Sequence, residues 1–237
     1  MEPANRGRQP GITIVTCTIR PRFLEHMFRN YKRQKWANKE WIVVVNSARA
    51  NMARYRAMAR RLPNIRVFYL PYRSLGKCLN FASARANYSY ITKMDDDEYY
   101  GARYIEGMMR AFRVSNADVV GKRAMFIHLS GKGLIIQRFT KENQFVKCVA
   151  GGTITFKKSV WKKVKFADVT LGEDVRFLQR CRRLGFKLYA GDKYNFCALR
   201  RKNFNSHTWK VSDQKFLAHP LTKVVAYTND YKSIVDR

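Results

Sequence analysis
The sequence predicts an α/β fold: a mixed, mostly parallel central sheet flanked by helices, with a small antiparallel sheet beside it. Three features predict it. From residue 11 onward, short β-branched runs alternate with amphipathic stretches. The run Tyr90 to Met94 ends in four consecutive acids, Asp95, Asp96, Asp97 and Glu98, and the carboxyl edge of an open sheet is where ligands gather. Residues 124 to 156 then change character, with strand-like runs punctuated by Gly131, Gly133, Gly151 and Gly152.

The first strand is Ile12 to Thr16, followed by a helix over Phe23 to Gln34 and a second strand over Trp41 to Val45. An Arg-rich helix, Met52 to Arg61, precedes a third strand at Asn64 to Leu70. After Pro71, Leu75, Cys78, Leu79 and Ala82 recur at helical spacing within Leu75 to Ala86, and Tyr90 to Met94 follows as the acid-ended strand. Tyr104 to Arg113 is a further helix and Val119 to Val120 a short strand. Ala124 to Leu129, Leu134 to Phe139 and Thr153 to Phe156 read as the antiparallel sheet. Glu173 to Leu184 returns to a helix, with Phe177, Leu178, Cys181 and Leu184 on one face.

With 237 residues and 46% hydrophobic content, the chain can bury the core of one large domain. We expect that domain over residues 10–210, with 211–237 as a C-terminal extension packed on it or trailing it. No apolar run approaches the ~20 residues of a membrane-spanning helix, and Met1 to Gln9 does not read as a secretory signal, so a cytoplasmic location is expected. The five cysteines show no CxxC pair, which argues against a disulfide framework and a structural zinc site. A net charge of +30 attracts polyanions: nucleic acid, anionic lipid, or an anionic glycan or its lipid-phosphate carrier. The basic residues are spread along the chain, which suggests a charged face rather than a separate arm.

The acids at 95–98 repel one another, so either several are protonated or a cation compensates them. Their oxygen ligands suit Mg²⁺ or Mn²⁺. The plainer alternative is an acidic turn that favours the N-terminal dipole of the next helix. Gly172-Glu173-Asp174 offers a general base, or simply acids in a first helical turn. His207 is a candidate late metal ligand, or a packed side chain beside Trp209. Gly151-Gly152 allows close approach of backbone to a sugar, or makes a plain turn.

The ordered set Ile14-Val15-Thr16-Cys17-Thr18-Ile19-Arg20-Pro21, Leu75-Gly76-Lys77-Cys78-Leu79-Asn80, Met94-Asp95-Asp96-Asp97-Glu98, Gly172-Glu173-Asp174 and Ser206-His207 resembles glycosyltransferase family 2. The resemblance covers residues 10 to 210 and implies the GT-A (nucleotide-diphospho-sugar transferase) fold. It implies an inverting, metal-dependent transfer from a nucleotide-diphosphate sugar, most commonly a UDP-sugar in this family. By the same resemblance, Thr16, Thr18 and Arg20 line the base and ribose, and Asn46, where many members carry an acid, closes that pocket. Gly76 and Asn80 wall the nucleotide. Asp95 or Asp96 faces the ribose, Asp97, as the second acid of a DxD motif, holds Mn²⁺ or Mg²⁺, and His207 is a late ligand of the metal or the diphosphate. Asp174 of the Glu173–Asp174 pair is the base, and Lys77, Arg200 or Arg201 are candidates to stabilise the leaving group.

Two other classes answer to parts of the sequence. Clustered aspartates on a basic protein also describe a metal-dependent nucleic-acid-processing or nucleic-acid-binding protein, although no recognised nucleic-acid signature is present. A non-catalytic carbohydrate-binding protein is the other, against which the intact Asp97, Asp174 and His207 weigh. The basic surface also suits an anionic or lipid-linked acceptor, or a peripheral location at the inner face of a membrane.

Overall fold
The structure, a computed structural model, describes residues 9–203 and 210–237. β2 (Lys39–Val45) is buried along almost its whole length, as expected of a strand covered on both faces of a parallel sheet. It lies between β1 (Ile12–Thr18) and β3 (Ile65–Tyr69), both parallel to it, and β1 pairs in turn with the parallel β4 (Tyr90–Lys93). Beyond β4 the large sheet continues through β10 (Thr155–Lys157), β6 (Val119–Gly121), β11 (Leu188–Ala190) and β9 (Gln144–Phe145). The second sheet has the order β13 (Thr222–Tyr227), β8 (Leu134–Arg138), β7 (Met125–Leu129), β12 (Phe196–Arg200), β5 (Tyr99–Tyr100).

Helices cover both faces of the large sheet. On one side α1 (Leu24–Arg33) buries Leu24, Met27, Phe28 and Tyr31, and Phe28 and Tyr31 pack on Trp41 with ring centroids at 4.8 and 5.1 Å. The same core takes in α2 (Met52–Ala59) through Tyr55 and α4 (Tyr104–Ser115) through Tyr104, Met108 and Phe112. On the other side α3 (Leu75–Ala84), α5 (Lys158–Lys163) and α6 (Glu173–Arg183) pack Leu79, Trp161 and Phe177 into a second core. Ser74 caps α3 by accepting from the Lys77 amide.

The structure departs from the sequence reading in one grouping. Thr153 to Phe156 was expected in the antiparallel sheet, yet β10 inserts into the large sheet, antiparallel to both β4 and β6. The second sheet is antiparallel apart from the parallel pair β12–β7. Residues 211–237 join the fold. After α7 (Asp213–Leu217), β13 forms an edge of the second sheet, and α8 (Lys232–Val235) buries Val235, whose carbonyl accepts from the Asn195 amide at 2.8 Å. All five cysteines are free thiols, and among the described residues no helix is long and apolar enough to cross a membrane.

Candidate active site
Because β1 and β4 are parallel neighbours, their carboxyl ends open on the same edge, and the acid cluster follows β4 directly. The four acids are held in four different ways. Asp95 faces outward and pairs with Lys93, Nζ to Oδ1 2.6 Å. Asp96 is buried; it accepts from the Thr18 hydroxyl at 2.6 Å and from Arg20 Nε at 3.1 Å and Nη2. Burial pushes its carboxyl up to about 6 against the pull of Arg20. Asp97 Oδ2 accepts from Arg20 Nη1 at 2.6 Å and from Arg201 Nη2 at 2.8 Å. Burial raises its pKa, but the two guanidiniums outweigh this and hold the carboxyl below the usual range. Glu98 turns inward, where its Oε2 accepts from the Leu199 amide at 2.5 Å and ties the cluster to β12. Burial holds that carboxyl well above its usual range.

The charge problem posed by consecutive acids is therefore answered from within the chain, by Lys93, Arg20, Arg201 and one backbone amide. Among the described residues no three His, Cys, Asp or Glu side chains are grouped to hold a metal ion. His207 lies outside the described residues. The donors at this edge are nonetheless carboxylate oxygens, and Asp97 already draws two cationic groups, so its chemistry fits a hard divalent cation that competes with them.

Across from this edge the segment Gly151–Thr153 makes a single 3-10 turn between two carboxylates. A Cβ on Gly151 would stand 1.9 Å from Asp174 Oδ2, and one on Gly152 would stand 2.9 Å from Asp95 Oδ2. With glycine at both positions the backbone passes without displacing either carboxylate from its present place. Tyr100 fixes the turn: its hydroxyl donates to the Gly152 carbonyl at 2.6 Å and accepts from the Asp95 amide at 2.7 Å. Glu173 and Asp174 open α6, and Asp174 Oδ1 accepts from the Val175 amide at 2.7 Å. Glu173 is buried, which pushes its carboxyl up to about 7 despite the attraction of Lys93. Burial on its own would lower the pKa of Lys93, but Asp95, Glu173 and Asp174 raise it, so the ammonium stays charged.

Thr18, Arg20, Asp95, Asp96, Asp97, Glu173 and Asp174 thus gather on or beside the edge. The other candidates have their polar groups engaged within the fold. The Thr16 hydroxyl accepts from Trp41 Nε1 at 2.9 Å inside the core. Asn46 donates to the Arg73 carbonyl at 2.6 Å and accepts from the Arg73 amide at 3.1 Å, pinning the approach to α3. Gly76 lets α3 touch the 167–169 segment, where a Cβ would meet the Ala167 carbonyl oxygen at 1.7 Å. Asn80 donates to the Phe166 carbonyl and accepts from the Phe166 amide and Trp161 Nε1, all within 2.9–3.0 Å. Of the three basic candidates, Arg201 reaches the acids, Lys77 pairs with Asp168 at 2.8 Å, and Arg200 donates to the Val211 carbonyl at 2.7 Å. Lys93 and Tyr100 were missed by sequence reasoning; the signal available was their position flanking the acids in Lys93-Met94-Asp95-Asp96-Asp97-Glu98-Tyr99-Tyr100.

An open, mostly parallel α/β sheet with a five-stranded companion and an acidic carboxyl edge matches the GT-A class of folds. The sequence profile of glycosyl transferase family 2 matches residues 12–158, more than half of the chain, and the protein belongs to that family. Among solved structures it is similar to S. aureus TarS 1–349 in complex with UDP-GlcNAc, with a TM-score of 0.68 at 17% identity, covering 87% of this chain and 63% of that one. It is also similar to the mannosyltransferase PcManGT from Pyrobaculum calidifontis in complex with GDP-Man and Mn²⁺, with a TM-score of 0.63 at 14% identity, covering 83% and 59%. The chain thus spans about three fifths of the length of these structures. A sequence search of curated proteins finds no match.

Proposed function
We propose that this chain is a metal-dependent, inverting glycosyltransferase that moves a sugar from a nucleotide diphosphate, with a UDP-sugar as first candidate, to a hydroxyl of a glycan, lipid-linked or protein acceptor, with an anionic or lipid-linked one as first candidate. The observation that carries the proposal is the convergence of Asp95 and Asp174 on the Gly151-Gly152 turn. In this reading Asp95, next to the Asp96 and Asp97 that Thr18 and Arg20 bind, is the donor-side acid and Asp174, on the other flank of the turn, the acceptor-side acid.

In this reading the acceptor oxygen attacks the anomeric carbon while the bond from that carbon to the diphosphate oxygen breaks. The diphosphate leaves with the electron pair, and Asp174 takes the hydroxyl proton. In this reading Arg20 and Arg201, which now pair with Asp97, stabilise charge growing on the leaving group, while Lys93 holds Asp95 and lends its charge to Glu173 and Asp174. Thr18 and Asp96 hold the floor of the donor pocket. Mn²⁺ or Mg²⁺, held by Asp97 with His207, would supply further neutralisation of the diphosphate. The similar mannosyltransferase solved with Mn²⁺ supports the use of a divalent metal.

The test is the thermal stability of wild type and Asp97→Ala against a panel of nucleoside diphosphates and their sugars, with and without Mn²⁺. A bound nucleotide at ~100 times its Kd adds ~2.7 kcal/mol, seen as a shifted midpoint. One nucleotide should stabilise the wild type with metal and leave the variant unmoved. A panel that shifts nothing would remove the donor reading.

A further inference from the structure
Five of the thirteen large apolar side chains exposed among the described residues fall between Leu217 and Tyr227. Leu217 ends α7, Leu221 leads into β13, and Val224, Val225 and Tyr227 lie on β13 itself. In a regular strand only alternate residues would face outward. Here the register against β8 slips between Val224 and Ala226, so the bulge leaves Val225 unpaired, and both valines are exposed, at 51% and 40%. Tyr227 is 81% exposed. β13 is also an edge strand, with nothing paired on its outer side among the described residues. An apolar edge of this kind is costly in water unless something covers it.

The charge around the patch selects the cover. Exposed Lys210, Lys215 and Lys223 flank it, and Asp213 is the single acid between residues 210 and 227. A second copy of this chain would bring the same lysines, and another +30, against the patch. An anionic bilayer accepts both parts: valines and leucines at the acyl boundary, tyrosine at the interface, and lysines among the headgroups. We infer that the α7–β13 edge docks on a membrane surface that carries anionic lipid. The inference does not rest on the transfer reaction. β12, which leads into Arg201, lies three strand spacings from β13, about 14 Å at the usual separation, so docking there brings the acidic edge close to the bilayer.

The test is co-sedimentation of the full chain with vesicles of phosphatidylcholine alone and of phosphatidylcholine mixed with phosphatidylglycerol. Wild type should bind the mixed vesicles and not the neutral ones. V224S/V225S/Y227S should weaken that binding about tenfold or more, and K210E/K215E/K223E about fivefold per lysine, both with thermal midpoints near wild type. If the valine changes disturb folding, Tyr227→Ser alone, at the most exposed of these side chains, still has to weaken binding. Three results overturn the inference: no binding to mixed vesicles; binding that neither triple variant nor Tyr227→Ser changes, so that the overall charge acts elsewhere; or a concentration-dependent dimer abolished by the serine changes.

Discussion

Lys93 reaches from the end of β4 to Asp95, with 2.6 Å between Nζ and Oδ1, and its side chain is only 7% exposed. This one ammonium is shared by three carboxylates, because Glu173 and Asp174 also stabilise its charge. Removing the buried ammonium leaves the charge of Asp95 uncompensated, and solvent screens part of it because that side chain is 31% exposed. Lys93→Met is therefore predicted to lower unfolding stability by about 2 kcal/mol, the scale of one charge-assisted hydrogen bond, and Lys93→Arg to restore part of it. Denaturant unfolding checks this. A Lys93→Met protein as stable as wild type would show that the pair is solvated and of little consequence.

Asp97 accepts from both Arg20 and Arg201, so a divalent ion arriving there must compete with two guanidiniums. Arg201→Met is predicted to tighten Mn²⁺ binding in the absence of nucleotide by about fivefold, ~1 kcal/mol for one charge-assisted bond removed. It should at the same time weaken binding of the nucleoside diphosphate. Calorimetric titration of each ligand separates the two effects. Unchanged Mn²⁺ affinity would mean that the arginine does not guard the carboxylate.

Glu173 gives the stability a pH dependence of a particular sign. Its carboxyl is raised from 4.5 to about 7, mainly by burial. Below pH 4.5 it is protonated in both the folded and unfolded chains and contributes nothing unfavourable. As pH rises from 4.5 to about 7 the unfolded chain releases the proton first, so stability is lost across that window and levels off above it. The full window is worth up to about 3 kcal/mol at 1.36 kcal/mol per unit. Glu173→Gln should abolish this fall, so that its stability relative to wild type improves steadily between pH 4.5 and 7. Parallel stability curves for the two proteins would refute the shift.

Gly151→Ala places a methyl group 1.9 Å from the present position of Asp174 Oδ2, so the carboxylate has to move. If Asp174 is the base, displacement of about 1 Å costs on the order of 100-fold in turnover. The predicted signature is a fall in kcat with little change in donor affinity, read from steady-state kinetics beside a nucleotide binding curve. Turnover near the wild-type rate would detach Asp174 from the chemistry.

Much of this architecture is legible along the chain. The helices and strands from Ile12 to Met94 lie within two residues of their expected bounds, because the strands are compact β-branched runs and α1 and α3 carry an apolar face, with turn or cap residues between them. The acidic edge is legible for the same reason: a strand that ends in acids displays them wherever its sheet is open. β10 is different. The run around Thr155 has strand composition, but nothing local says which sheet accepts it, and it pairs with strands whose residues lie about 35 to 65 positions earlier.

The same division runs through the site. Residue type and order single out Asp95 to Asp97 and Glu173-Asp174 as chemistry-bearing, since clustered carboxylates in a chain with 17 acids and 47 bases demand compensation. Which cation compensates which acid is a matter of three-dimensional placement, and it falls to Lys93, Arg20 and Arg201. Thr16 and Thr18 look equivalent in sequence, yet Thr16 stays under Trp41 while Thr18, two residues nearer the edge, reaches Asp96. Local periodicity sets which face a side chain takes and so determines elements and motifs. Partners separated by tens of residues are chosen only when packing closes the long loops between them, and that step belongs to the tertiary structure.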